Sequence, residues 1–259
     1  MKKDFAPGQI MVEVKDLAIG YGERTVLEKL NFSIHAGEIV CIMGGSGCGK
    51  STLLKNIIGL YPPLKGDILL RGESIVNTTV ERKKQLMRSF GVTYQGGALF
   101  GSMSVAENVE FPLREYSDLS AEERRLVVME KLEMVGLEKF GEFMPAELSG
   151  GMCKRAGLAR ALVLEPDLLF FDEPSAGLDP LSSAELDLLI LKLRDTLGAT
   201  VVVVTHELDS VFSIADRALM LDKNSRTLVA DGSPEKLLKE FSGSWVSDFL
   251  SRNGMNHRR

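Results

Sequence analysis

The stretch GGSGCGKS, Gly44 to Ser51, directly follows the apolar run Ile39-Val40-Cys41-Ile42-Met43 and opens into Thr52-Leu53-Leu54-Lys55-Asn56-Ile57-Ile58. An apolar strand, a glycine-rich turn and a helix, with the spacing G-x-x-x-x-G-K-[ST], leave few folds open. The pattern is a P-loop in an α/β core built on parallel strands. Gly44, Gly47 and Gly49 allow backbone angles that a Cβ would forbid, so successive N–H groups turn inward. From Gly44, Gly45, Ser46, Gly47, Cys48 and Gly49 to Thr52, the loop and helix start would cradle the phosphates of a nucleoside triphosphate. Lys50 would bridge the β- and γ-phosphates, and the Ser51 hydroxyl would hold Mg²⁺.

The rest of the chain supplies a matching scaffold. Its 259 residues suffice for one large α/β domain, and an apolar content of 44% supports a sizeable core. Residues 10–40 alternate polar and apolar in short runs, the period of a half-exposed antiparallel sheet. The runs at 39–43, 168–172 and 201–205 are continuously apolar and read as buried parallel strands. Ser120-Ala121-Glu122-Glu123 has capping-box spacing, Val128, Leu132 and Val135 follow at helical intervals, and Gly136 closes the helix. A second helix carries Leu186, Leu189, Ile190, Leu193 and Leu197 on one face and ends at Gly198. RALMLD and TLVADG flank a turn, and Ser233 caps a last helix with Pro234 at its first position.

Leu168 to Asp172 ends in two carboxylates, Asp172 and Glu173. Asp172 is placed to orient Mg²⁺ and Glu173 to polarise an attacking water. Leu148-Ser149-Gly150-Gly151-Met152, followed by CKRAGLARAL, resembles the signature motif and helix of ABC-type ATPases. There Ser149, Gly150 and Gly151 would begin a helix whose free N–H groups bind a γ-phosphate. The resemblance implies that this signature faces the nucleotide of a second subunit, so two copies sandwich two ATPs head to tail. Met152 stands where glutamine is commoner in that family, at a side chain that is not the main phosphate donor.

Further positions match the same pattern over about residues 10–240. Tyr21 resembles the aromatic that stacks on adenine, and Gln95 the glutamine that senses Mg²⁺ and water. Asp179, in Ser175-Ala176-Gly177-Leu178-Asp179, resembles part of the loop that crosses the dimer interface. His206 resembles the switch histidine that contacts the γ-phosphate. The implied fold is a P-loop NTPase with a RecA-like parallel core, an N-terminal antiparallel β subdomain and an inserted helical subdomain. The expected boundaries are one domain over 10–242, with core at 10–95 and 165–242 and helices at 96–164, then a tail at 243–259.

A narrower resemblance is carried by YQGGALF at 94–100, then SMSVAENVEFPLREY, KLEMVGL and the LSGGM-x-[KR]-R signature, with the closing V-x-x-F-L of 246–250. These are similar to the Mla/Mce-associated ATPases of bacterial phospholipid-trafficking ABC transporters. That resemblance implies a homodimer on a transmembrane permease at the cytoplasmic face of the inner membrane. It also implies a periplasmic MCE-domain lipid-binding partner and a small regulatory subunit. The apolar cluster Ala98, Leu99, Phe100 and Met103 could be core or could receive a short helix of the permease. Another cargo (amino acid, metal or toxic solvent) stays open. So does a non-transport ABC ATPase in DNA repair, translation or iron–sulfur assembly, although long coiled-coil insertions and a second cassette are missing. A GTPase lacks support in any NKxD-like sequence.

A net charge of −5 argues against a nucleic-acid coat protein. No apolar run is long enough to span a bilayer, and MKKDFAPGQI lacks a signal core, which points to a soluble cytoplasmic chain. Three cysteines, Cys41, Cys48 and Cys153, suit a reducing compartment and no cysteine metal site. Cys48 lies among N–H donors expected to lower its pKa. Alkylation there should block ATP turnover and ATP should protect, although a small loop residue needs no role. The terminal RNGMNHRR reads as a disordered basic end.

Overall fold

The computed structural model describes residue 6 and residues 8–251. The terminal RNGMNHRR segment lies outside the described residues. In chain order the strands are β1 (Ile10–Tyr21), β2 (Arg24–His35), β3 (Ile39–Gly44), β4 (Lys65–Leu70), β5 (Glu73–Ser74), β6 (Phe90–Thr93), β7 (Leu168–Asp172), β8 (Thr200–Val204), β9 (Arg217–Asp222) and β10 (Thr227–Gly232). The helices are α1 (Lys50–Ile57), α2 (Val80–Met87), α3 (Val105–Tyr116), α4 (Ala121–Met134), α5 (Gly150–Leu162), α6 (Pro180–Leu197), α7 (Leu208–Ile214), α8 (Pro234–Glu240) and α9 (Trp245–Leu250). The described residues form two compact units, one of residues 80–201 and one of the described residues up to 79 together with 202–251. The boundaries expected at 96 and 164 both fall inside the first.

The phosphate-loop unit opens with an antiparallel sheet in the order β2-β1-β4-β5. Its two long strands meet through a tight turn in which Tyr21 faces Arg24. Residues are buried at alternate positions in short runs, Val12 and Val14, Leu17 and Ile19, and Leu30, Phe32 and Ile34, the half-exposed pattern read from the sequence. β3 is buried along its whole length, pairs parallel with β9, and β9 pairs antiparallel with β10. Continuous apolar character is what a strand covered on both faces requires. Arg217 on β9 bonds Asp231 on β10 and reaches Glu38 at 3.2 Å just before β3. Ser233 caps α8 through the Lys236 N–H, with Pro234 at its first position.

The 80–201 unit pairs β6 parallel with β7, Val92 opposite Phe170 and Thr93 opposite Phe171. The capping box of Ser120 and Glu123 starts α4, and Val128, Leu132 and Val135 are buried. Gly198 closes α6 in the left-handed conformation at φ 68°. α3 is a helix with Pro112 inside it, which removes one i→i−4 bond. Its start compensates: Ser104 and Glu107 form a capping box, and the Val105 and Ala106 N–H groups donate to Phe143 O and Gly141 O.

Asn108 on α3 is fully buried and organises the preceding loop. Its Oδ1 accepts from the Phe100 N–H at 2.7 Å, and its Nδ2 donates to the carbonyls of Phe100, Met103 and Ser104 at 2.9–3.1 Å. The 100–104 loop is thus held by one side chain from the inside. Asn108→Leu keeps the volume but strands a buried N–H and its carbonyl partners. The expected loss of unfolding free energy is about 3 kcal/mol, given the cost of buried unmet polar groups, read as a lower urea midpoint at unchanged slope.

Candidate functional site

The phosphate loop leaves β3 at Gly44 and enters α1 at Lys50. Gly44, Gly47 and Gly49 all have positive φ, at 146°, 71° and 109°. At Gly49 a Cβ would lie 2.8 Å from Val26 Cγ1, so glycine is required both for backbone angle and for space. Lys50 is 9% exposed, and its ammonium donates to Gly44 O at 2.9 Å and to Gly45 O at 3.4 Å. Ser51 and Thr52 occupy the first turn of α1, half-buried, while Gly45 and Ser46 are exposed. The Cys48 N–H donates to Gly45 O at 3.2 Å and closes the tip of the loop.

Cys48 departs from expectation. Burial raises its thiol pKa above the usual range, and the lowering effects of the Lys50 charge and nearby N–H groups do not offset it. The residue is 1% exposed, and a Cβ on Gly44 would lie 2.7 Å from its Sγ. The sulfur therefore packs into the loop base and its thiolate is disfavoured.

Two more expected residues lie in the same unit. Tyr21, at the end of β1, is 50% exposed, and its hydroxyl meets Thr52 Oγ1 at 3.2 Å. The Thr205 N–H donates to Ile42 O at 3.3 Å, so the turn carrying His206 is held against β3, the strand that feeds the loop. His206 is exposed, with Nε2 3.8 Å from Glu207 Oε1.

In the 80–201 unit, Gln95 and the Asp172–Glu173 pair leave the C-terminal ends of two neighbouring parallel strands, β6 and β7. That is the edge where open α/β sheets bind ligands. Gln95 is exposed; Asp172 and Glu173 are half-buried. Glu173 takes φ 51°, a left-handed angle that costs a non-glycine residue about 1 kcal/mol. Burial, and then the negative charge of Asp172, push the Tyr94 pKa up.

Ser149 caps α5, its Oγ accepting from the Met152 N–H at 3.3 Å, and Gly150 and Gly151 form the first turn. Asp179 caps α6, accepting from the Leu181 and Ser182 N–H groups at 3.1 and 3.0 Å. The Ser182 hydroxyl, then its N–H, hold the Asp179 pKa below the usual carboxylate range. Ser149, Gly151, Arg155, Leu178 and Ser182 line one opening, so the signature turn and the 175–179 loop share a surface.

Several residues joining these pieces were not singled out from sequence. Lys154 donates to Ala176 O and feels the charge of Glu173, while burial lowers its pKa. Gly157 on α5 sits against the loop after Gln95: a Cβ there would lie 2.7 Å from Gly97 O. Arg160 donates to Ala98 O at 2.9 Å and Gly97 O at 3.0 Å and lies over the Phe100 ring. No local pattern announces these contacts, since the partner of Lys154 lies 22 residues away along the chain and those of Gly157 and Arg160 some sixty.

The ABC transporter family profile matches residues 27–176. The chain belongs to the ABC transporter family. The Haemophilus influenzae protein named "Intermembrane phospholipid transport system ATP-binding protein MlaF" is 42% identical, covering 89% of this chain and 87% of that one. The Escherichia coli K12 protein of the same name is 43% identical over 88% and 84%. A Mycobacterium leprae protein named "Probable ribonucleotide transport ATP-binding protein mkl" is 42% identical over 90% of this chain and 66% of its own length. Among solved structures, cbiO1 from Clostridium perfringens, part of the ABC transporter complex cbiONQ, superimposes with TM-score 0.81 at 30% identity over 96% of both chains. The ATP-binding cassette MJ0796, in a dimeric post-hydrolysis state with ADP and Pi, gives TM-score 0.78 at 32% identity over 86% and 98%. The fold is the expected α/β ABC ATPase, with an antiparallel sheet and a parallel core, and the chain is an ATP-binding ATPase.

Thiol labelling checks the Cys48 correction. At pH 8 iodoacetamide should modify half-buried Cys153 first and leave Cys41 and Cys48 largely unmodified until the protein is unfolded. Peptide mass spectrometry with and without urea reads the order.

Proposed function

We propose that this chain is the ATP-hydrolysing subunit of a transporter that moves phospholipid between the membranes of a bacterial envelope. The observation that carries the reading is the likeness to two MlaF proteins across more than four-fifths of their length. Among the described residues no helix is long and apolar enough to cross a membrane. By likeness to these relatives, the chain would act from the cytoplasmic face of the inner membrane on a separate transmembrane permease. A periplasmic MCE-domain lipid-binding protein and a small regulatory subunit complete the proposed assembly.

Toward ATP, the phosphate-loop donors from Gly44 to Thr52 would bind the phosphates, Lys50 would neutralise the β- and γ-oxygens, and Tyr21 would stack on the base. Ser51, Asp172 and Gln95 offer a hydroxyl, a carboxylate and an amide oxygen, hard donors of the kind Mg²⁺ takes alongside phosphate. Bound Mg²⁺ would spread the charge of the triphosphate. Glu173 would accept a proton from the attacking water, and His206 would hold the γ-phosphate in line. Two copies would pair head to tail, each lending Ser149, Gly150, Gly151 and Asp179 to its partner's nucleotide. Hydrolysis would then depend on association of the two copies. The exposed Phe100, its ring tilted at 58° to that of Phe111 with centroids 5.1 Å apart, would offer the permease an apolar docking surface.

The identity to mkl keeps ribonucleotide as a rival cargo. Purifying the complex from native membranes and extracting what it carries decides between them. Phospholipid retained with a permease supports the reading, whereas ribonucleotide without lipid ends it.

Two substitutions test the chemistry. Lys50→Ala removes the only lysine of the loop and should abolish ATP binding, measured by fluorescent-nucleotide titration. Glu173→Gln keeps the side-chain volume but not the base. Turnover should fall by roughly 10²–10⁴ while ATP still binds, and closed dimer should accumulate on size exclusion. Near-normal turnover would remove Glu173 from the catalytic role.

A further inference from the structure

Tyr61 follows α1 by four residues, and its ring meets that of Tyr21 nearly at right angles, with centroids 5.9 Å apart and planes at 78°. Both rings stay open to solvent, at 50% for Tyr21 and 44% for Tyr61. Large aromatic faces left in water beside a phosphate loop are candidates for a ligand. Perpendicular packing is a preferred aromatic geometry, and here it restrains the Tyr21 ring from the side.

The placement is not left to a loose loop. The Leu60 and Tyr61 N–H groups both donate to Lys55 O, at 2.9 and 3.2 Å, so the segment is tied to the end of α1. Pro62 and Pro63 fix the next two φ angles. The Leu64 N–H then donates to Ala18 O at 2.8 Å on β1. Leu64 lies over Gly20, where a Cβ would come within 3.0 Å of its Cδ1. The segment is therefore anchored to the helix on one side and to the strand bearing Tyr21 on the other.

Helix α1 thus holds Tyr21 from both of its ends. At its first turn Thr52 meets the hydroxyl at 3.2 Å. Just past its last turn Tyr61 meets the ring. The same helix carries Lys50 and Ser51, so one rigid element sets where the phosphates sit and where the aromatic plate stands.

We propose that Tyr61 is a positioning residue for the nucleobase: by bracing Tyr21 it keeps a face ready for the purine ring and so sets the base-dependent part of triphosphate affinity. A plate already held in place loses little freedom when the base arrives, which is why bracing raises affinity. The inference rests on the reading of this loop as the nucleotide site and of Tyr21 as the base platform.

The test compares MgATP with magnesium tripolyphosphate, which offers the same phosphates and no base. Dissociation constants are measured for the full chain, Tyr61→Ala, Tyr61→Leu, Tyr61→Phe and Tyr21→Ala. Tyr61→Ala and Tyr61→Leu should weaken ATP roughly two- to tenfold, the range one aromatic pair supports, with tripolyphosphate unchanged. Tyr61→Phe should behave as the parent, because the ring and not the hydroxyl makes the contact. Tyr61→Leu carries the test if the alanine variant fails to fold. An unchanged ratio of the two affinities overturns the inference, and so does an equal loss for both ligands, which would mean a distorted phosphate loop. If the parent gains nothing from the base and Tyr21→Ala changes nothing, the Tyr21 platform falls as well. A loss in Tyr21→Ala without one at Tyr61 removes Tyr61 alone.

Discussion

A buried ammonium held by two backbone carbonyls is the interaction on which the rest of the site depends. Lys50 is nearly withdrawn from water, with its hydrogen bonds going to Gly44 O and Gly45 O. Carbonyl dipoles meet only part of a buried charge, so the site is disposed toward an incoming anion. That disposition requires the loop to curl tightly enough for its carbonyls to reach the ammonium, and glycine at positive φ makes the curl possible. Strand β3 fixes where the loop begins, and β9 fixes β3. A Cβ on Gly44 would lie 2.3 Å from Leu221 O of β9, so the neighbouring strand leaves the loop no room to start differently.

The second constraint runs through the 80–201 unit and is steric. Gly97 and Gly157 bring the loop after Gln95 into backbone contact with α5, the helix that begins at Ser149. Arg160 then fastens that loop through two carbonyls, and Asn108 fastens its continuation through Phe100. With no flexible side chain between loop and helix, a shift at Gln95 cannot be absorbed locally, because close-packed interiors transmit displacement. Phe100, the exposed aromatic, belongs to the same block. A partner pressing on Phe100 would therefore act on the signature helix and the glutamine together.

Much of this was legible because the signals are local. The apolar runs at 39–43, 168–172 and 201–205 became β3, β7 and β8 within a residue, since a strand covered on both faces has to be continuously apolar. The capping residues Ser120, Gly198 and Ser233 all act as read, because a cap is a contact over three or four residues. α3 was harder: Pro112 breaks the helical pattern, and what rescues the helix is the Phe143 and Gly141 carbonyls at its start, distant in sequence. Cys48 was misread because the visible factors, Lys50 and the loop N–H groups, lower a pKa. The deciding factor, burial against the loop base, depends on tertiary packing. Lys154, Gly157 and Arg160 lie in the stretch read as the signature helix, but their contacts, like that of Tyr61, are with partners 22 to 63 residues away and carry no local signal.

In the proposed roles, the two aromatic residues and the charged ones would serve different ends of a catalytic cycle. Stacking on a base that does not react contributes equally to bound substrate and transition state, so Tyr21 and a brace at Tyr61 could raise affinity without speeding the chemical step. Lys50 and Glu173, in the roles proposed for them, would address atoms whose charge changes during hydrolysis, so their contribution would differ between the two states. The left-handed backbone at Glu173 fits that division. Strain of this kind persists only where surrounding structure over-determines it, and Glu173 follows directly on the end of β7. A residue held at such an angle is poorly placed to drift. A catalytic carboxylate there would be fixed in advance rather than recruited by the substrate, as a base platform at Tyr21 would be by its contacts with Thr52 and Tyr61. Hydrolysis would then wait on association of two chains rather than on local ordering within one.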